Sequence, residues 1–309
     1  MKRIYVTTST FCQFSNEPMR LLDEKNKVHV VSNTSGMKLT AGDLINRISQ
    51  FDGVIAGTES YDKDVIDVAE KLKVISRVGV GLDNIDLDYA RKKGINVFKT
   101  QTTPAPAVAE LTLGLILDLL RKISIQNSNM KSGNWKKKMG SLLRGKTLGI
   151  IGLGTVGKEL VRITSNMQLE YLAFDVIKDN EFSNSFSVKY CDLTYLLNNS
   201  DIISVHLSLS DENTKMIGLE QLRKMKNSSI LINTSRGEVI NEDDLEIAIR
   251  DGIIAGAGLD VFQMEPYHGP FSAYDNVILT PHIGSYAREI REAMEIEAVQ
   301  NLFEGFNKS

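Results

Sequence analysis

A chain of 309 residues, 42% hydrophobic and 24% charged, has enough apolar material for the cores of two domains and too much for a disordered protein. A formal charge of −3 with no long basic run excludes a nucleic-acid-binding surface, and the densest basic stretch, "WKKKM" at 135–139, reads as a solvated helix end. Cys12 and Cys191 lie far apart with no metal-ligand spacing. No apolar stretch reaches the roughly 18 residues that span a bilayer, and "MKRIYVTTST" reads as a strand and not a signal peptide, so a cytoplasmic protein with no membrane partner and no metal is expected.

Apolar runs then alternate with amphipathic stretches along the chain, the pattern of parallel sheets with crossover helices. The first series of strands is "RIYVTT", "VHVV", "GVIAG", "VISRV" and "INVF". Between these lie helical stretches such as "DKDVIDVAEKL" and "IDLDYARKKG", the latter with Asp86 placed to cap its start. Residues 104–123, "PAPAVAELTLGLILDLLRKI", read as a long connecting helix that begins at Pro104 and Pro106. The second series is "KTLGIIG", "EYLAFD", "VKYC", "DIISVHL", "SILINTS", "IAGAGLD" and "NVILTPH". A final amphipathic helix, "SYAREIREAMEIEAVQNLFEGF", ends the pattern.

The first strand of the second series runs into "GLGTVGKEL", with Gly152, Gly154 and Gly157 in a G-x-G-x-x-G pattern and Thr155 and Val156 between the last two glycines. Strand, glycine loop and helix in this order form the site where a dinucleotide's pyrophosphate meets helix N–H groups. About twenty residues on, "YLAFD" ends at Asp175. A carboxylate there accepts hydrogen bonds from ribose hydroxyls and repels a 2′-phosphate, so NAD is expected over NADP.

Three later strand ends carry polar groups: Arg236 after "SILINTS", Glu265 after "AGAGLDVF" and His282 after "VILTP". In an open α/β sheet, ligands bind outside the carboxyl ends of the strands. The residue types suit hydride transfer to a 2-keto acid. A guanidinium holds the substrate carboxylate. A histidine gives or takes the proton. A glutamate beside the imidazole orients it and favours its charged form.

Together these residues identify a resemblance to the D-isomer-specific 2-hydroxyacid dehydrogenases, most closely the short phosphoglycerate dehydrogenases. It is carried by "RVGVGLDNIDL", "VAELTLGLIL", "GKTLGIIGLGTVGKEL", "LINTSRGEVI", "AGAGLDVFQMEP" and "NVILTPHIGS". The resemblance implies two Rossmann-like, doubly wound parallel-sheet domains, with the cofactor domain (103–284) inserted into a flavodoxin-like substrate domain (1–102 plus 285–309). It implies that Arg236, Glu265 and His282 are the catalytic set and that the backbone at Val80 and Gly81 binds substrate. It places Thr234, Asp260 and Gly284 near the nicotinamide and His206 on the adenosine side. It also implies a homodimer joined through the cofactor domains.

The expected reaction is NAD-dependent interconversion of a D-2-hydroxy acid and its 2-keto acid, with 3-phosphoglycerate as the leading substrate. Reduction of glyoxylate, hydroxypyruvate or a sugar-acid derivative is the alternative. A different class, the NAD-sensing corepressor scaffold, uses the same fold, but the sequence shows no added arm for partner capture. Two departures bear on substrate. The stretch "VIAGTES" (54–60) holds no arginine to meet a phosphate, and the segment after "INVF" reads Lys99, Thr100, Gln101. The chain stops after its last helix, so no regulatory domain is expected.

Overall fold

The computed structural model describes residues 1–24 and 28–308. They form two compact units, one from Met1–Pro104 with the C-terminal segment from Tyr286, the other from Ala105–Ser285. The second unit is thus inserted in the sequence of the first.

The first unit holds β1 (Lys2–Val6), β2 (Val28–Ser32), β3 (Gly53–Ala56), β4 (Val74–Arg77) and β5 (Asn96–Lys99). These five strands form an all-parallel sheet in the order β2-β1-β3-β4-β5. Successive side chains on a strand point to opposite faces, so each strand feeds two cores. Ile4, Val6, Ile55 and Val74 pack against Met294, Ala298, Leu302 and Phe306 of the final helix, Arg288–Asn307. Tyr5, Val54 and Ile75 face the other way, onto Leu44, Val65, Ile66 and Ala90. Asp86 caps its short helix as expected, accepting the Tyr89 N–H at 2.9 Å.

The second unit holds β6 (Thr147–Ile151), β7 (Glu170–Phe174), β8 (Val188–Tyr190), β9 (Ile202–Val205), β10 (Ile230–Asn233), β11 (Gly256–Leu259) and β12 (Val277–Leu279). All seven are parallel, in the order β12-β11-β10-β9-β6-β7-β8. The alternation is clearest in β10. Ile230 and Ile232 join the core beneath the helices Ala105–Arg121 and Thr155–Thr164, whereas Leu231 joins Leu245, Ala248 and Leu259 on the opposite face. Each such fully buried aliphatic side chain contributes roughly 1.5–3 kcal/mol. Both units are therefore doubly wound parallel sheets, the fold class expected from the sequence.

Two local readings change. The connecting helix runs Ala105–Arg121 and stops where Lys122 takes φ +55°. A second helix, Ile123–Lys131, follows with no buried residue, so no apolar periodicity marked it. The "WKKKM" stretch is not a helix end: it lies beyond this helix and beyond Gly133 (φ +78°), in a segment without regular structure, with Trp135 76% exposed. Both cysteines are free thiols. Among the described residues no helix is long and apolar enough to cross a membrane.

Candidate active site

The order of strands in the second sheet changes direction at β6, which lies between β9 and β7. The crevice outside the carboxyl ends at such a point is where an α/β sheet takes its ligand. The glycine loop leaves β6 here. Gly152 has φ +95°, and a Cβ on it would fall 2.8 Å from the His206 carbonyl oxygen at the end of β9. Gly157 packs so tightly that a Cβ would sit 2.5 Å from the Gly152 carbonyl oxygen. Gly154 has nothing within 4 Å of the same position, so this backbone faces open space. Gly154 is also the N-cap of the helix Thr155–Thr164, and no side chain caps that end. Thr155 and Val156 open this helix, whose first N–H groups and dipole favour a phosphate. Asp175, just past β7, accepts the Leu153 N–H at 2.7 Å and the Ile177 N–H at 2.9 Å. The cradle therefore fits a dinucleotide: bare backbone toward the pyrophosphate and a carboxylate at the ribose end.

His206 is half-buried beside this loop. Its Nε2 pairs with Ser204 Oγ at 2.8 Å, and its Nδ1 is buried without a partner among the described residues. Burial pushes its pKa down to about 4, so the ring is neutral near pH 7.

On the other half of the sheet, β10, β11 and β12 are adjacent, with Asn233 beside Leu259 and Leu259 beside Leu279. Neighbouring strands lie about 4.8 Å apart, so their three carboxyl-end loops start side by side. These are the loops of Arg236, Glu265 and His282. The Glu265 carboxylate meets His282 Nδ1 at 2.9 and 3.0 Å. Arg236 is half-buried and donates from Nη1 to the Ser235 carbonyl at 2.8 Å. Gly237 presses its loop onto the next one: a Cβ there would fall 2.0 Å from the Phe262 carbonyl carbon.

His282 has φ +54°, which costs a non-glycine residue on the order of 1–3 kcal/mol and has to be held by its surroundings. Asp260 does this. Its main-chain oxygen accepts the His282 N–H at 2.8 Å. Its carboxylate, 1% exposed, accepts Thr280 Oγ1 (2.6 Å), the Ile283 N–H (2.8 Å) and the Gly284 N–H (2.8 Å). Burial raises the Asp260 carboxyl, and these three donors and the nearby His282 oppose that rise. Asp260 and Gly284, expected near the nicotinamide, are thus the bracket of the histidine loop. Thr234 is placed at the end of β10, its hydroxyl 3.0 Å from that of Thr112. Val80 and Gly81 belong to the first unit, in the loop after β4, with Val80 39% exposed.

Sequence reasoning missed Asn233. It is 1% exposed, donates to the Arg236 carbonyl at 2.9 Å, and accepts the Ser235 N–H and hydroxyl at 3.1 and 2.8 Å. It clamps the turn that presents Arg236. The available signal was an amide in the last position of an otherwise apolar strand.

Known proteins resemble this chain along most of its length. Residues 113–284 match the family model described as D-isomer specific 2-hydroxyacid dehydrogenase, NAD binding domain. A glyoxylate reductase of Thermococcus litoralis is 38% identical over 84% of this chain and 82% of its own length. A hydroxypyruvate reductase of Thermotoga maritima is 36% identical over 93% of this chain and 94% of its own. A D-3-phosphoglycerate dehydrogenase of Methanocaldococcus jannaschii is 37% identical over 90% of this chain and 53% of its own. A cradle for a dinucleotide and an Arg, Glu and His on three adjacent strand ends therefore come with a matching lineage: the chain belongs to the D-isomer-specific 2-hydroxyacid dehydrogenases, NAD-dependent oxidoreductases.

Proposed function

We propose that this enzyme reduces a short, unphosphorylated 2-keto acid, glyoxylate or hydroxypyruvate, to the D-2-hydroxy acid. The observation that carries the reading is the His282–Glu265 pair, which joins the loops after β12 and β11 beside the turn after β10 that presents Arg236. Glu265 engages Nδ1, so Nε2 is the nitrogen that serves the substrate. Arg236 binds the carboxylate and draws electron density from the adjacent carbonyl. When bound, NADH supplies the hydride that reaches the carbonyl carbon. The carbonyl oxygen gains negative charge and takes the proton from His282 Nε2. Glu265 holds the ring in place and stabilises its charged form before the transfer. Solvent then returns a proton to the ring.

Two observations support an unphosphorylated substrate over 3-phosphoglycerate. The relatives named for glyoxylate and hydroxypyruvate are 38% and 36% identical to this chain over 84% and 93% of its length. In residues 54–60 the charged side chain is an acid, Glu59, 2% exposed and accepting from Thr7, the Gly57 N–H and Tyr61. NADH oxidation with glyoxylate, hydroxypyruvate and 3-phosphohydroxypyruvate tests the choice. The expected order of kcat/KM puts the phosphorylated acid last; a preference for it would restore phosphoglycerate as the substrate.

A homodimer through the cofactor unit is part of the proposal. Trp135, Met139 and Leu142, 76%, 89% and 70% exposed, are large apolar side chains near one another in the sequence of that unit, interleaved with Lys136, Lys137 and Lys138, and exposed apolar side chains of this size favour a protein contact. Light scattering coupled to size exclusion should give twice the chain mass, and Trp135→Lys should shift it toward the monomer.

A further inference from the structure

The loop that carries Glu265 is latched at a second carboxylate. Glu242, the first residue of the helix Glu242–Arg250, is half-buried, and its Oε1 accepts the main-chain N–H of Gln263 at 2.6 Å. The Gln263 side chain donates in turn to the Ile240 carbonyl at 2.6 Å. With Gly237 pressed against Phe262 and Gln263, the turn after β10 and the loop after β11 become one body. Two residues beyond Gln263, Glu265 meets His282 and accepts the Phe262 N–H at 3.3 Å.

A carboxylate is a costly choice for this latch. Burial raises the Glu242 carboxyl, and the neighbouring charges of Asp243 on its own helix, Glu238 from the turn Gly237–Val239 and Glu265 from the loop raise it further; the Gln263 N–H offsets only part. Glu246, Arg250 and Tyr267 share a cavity of about 370 Å³ with it. A glutamine would accept the same N–H without this cost, so support of the loop alone does not explain a charge here. His282 itself meets the Glu265 carboxylate through Nδ1 and interacts electrostatically with the Asp260 carboxylate, and Arg236 is presented from the turn after β10.

We propose that Glu242 is a positioning residue for the reaction: it fixes the Glu265 loop through the Gln263 N–H, and its negative charge behind Glu265 favours the protonated, proton-donating form of His282. The proposal rests on the acid–base reading of His282 above. In the direction of reduction, activity falls as pH rises and His282 loses its proton. Removing a nearby negative charge must therefore move that alkaline limb to lower pH.

The test is the pH profile of kcat/KM for glyoxylate reduction by the full-length enzyme, Glu242→Gln, Glu242→Ala and His282→Gln, with NADH binding by fluorescence and a thermal melt on each. Glu242→Gln keeps the acceptor, so its low-pH plateau should stay within about twofold of wild type, with the alkaline limb about half a unit or more lower. Glu242→Ala loses both, and its plateau kcat should drop about tenfold with KM little changed. A Glu242→Gln profile that superimposes on wild type, with His282→Gln inactive, overturns the proposal and leaves the acid–base reading intact. A His282→Gln enzyme with wild-type activity and profile overturns that reading itself. Should Glu242→Ala fail to fold, the glutamine variant alone decides.

Discussion

Asp260→Asn isolates the bracket that holds His282. The carboxylate accepts three donors, Thr280 Oγ1 and the Ile283 N–H on one oxygen and the Gly284 N–H on the other. An asparagine has one acceptor oxygen. In its better orientation it keeps the pair on Oδ1 and turns an NH₂ toward Gly284 N–H, so one buried donor loses its partner and meets another donor. Such a loss costs about 1–3 kcal/mol. Because burial raises the Asp260 carboxyl, a neutral side chain recovers part of that cost, and the net effect belongs in the lower half of the range. For a unit of this size a loss of 1–2 kcal/mol lowers Tm by roughly 2–8 °C. The larger effect is on chemistry, since His282 keeps its φ of +54° only while the bracket holds. A shift of about 1 Å at the proton donor costs on the order of a hundredfold in kcat. Calorimetry and steady-state glyoxylate reduction measure the two. Thr280→Ala, which removes one donor and leaves the carboxylate with two, should fall between. An Asp260→Asn enzyme with unchanged Tm and wild-type kcat would refute the bracket.

The other expectations concern the cradle, the arginine and pH. Gly154→Ala, facing open space, should leave Tm unchanged and weaken NADH binding at least tenfold; Gly157→Ala, whose Cβ would meet the Gly152 carbonyl at 2.5 Å, should lower Tm, as paired melts and NADH titrations will show. Arg236→Lys replaces a planar fork by a point charge, and kcat/KM for glyoxylate should drop about a hundredfold while NADH affinity is kept. His206 titrates near 4 in the folded chain against about 6.5 unfolded, so the unfolded state binds more protons between those values and stability drops as pH falls through that window. Urea melts of wild type and His206→Asn should diverge by on the order of 1–2 kcal/mol between pH 7 and 4.5, with the variant losing less.

Much of this was legible in the chain because strands and glycine turns announce themselves locally. Short apolar runs located the twelve strands of the described residues, and strand-to-helix context turned Gly152, Gly154 and Gly157 from a common pattern into a cradle. What local pattern cannot give is lateral order. That β10, β11 and β12 are neighbours, and so bring Arg236, Glu265 and His282 to adjacent loops, depends on long-range pairing. Nor does it mark side chains whose work is to hold backbone. Asn233, Asp260 and Glu242 each hold main-chain groups of a site loop, and in sequence they look like a strand end, a turn acid and a helix-start acid. The helix Ile123–Lys131 escaped because it buries nothing and so has no apolar stripe.

The most direct measurement is single-turnover glyoxylate reduction by His282→Ala, with the NADH dissociation constant determined on the same sample. A proton donor at this position contributes about 10²–10⁴-fold, so the rate should drop by that factor while NADH binds as in wild type. A variant that binds NADH normally and reduces glyoxylate at the wild-type rate would contradict the assignment of His282 as the acid.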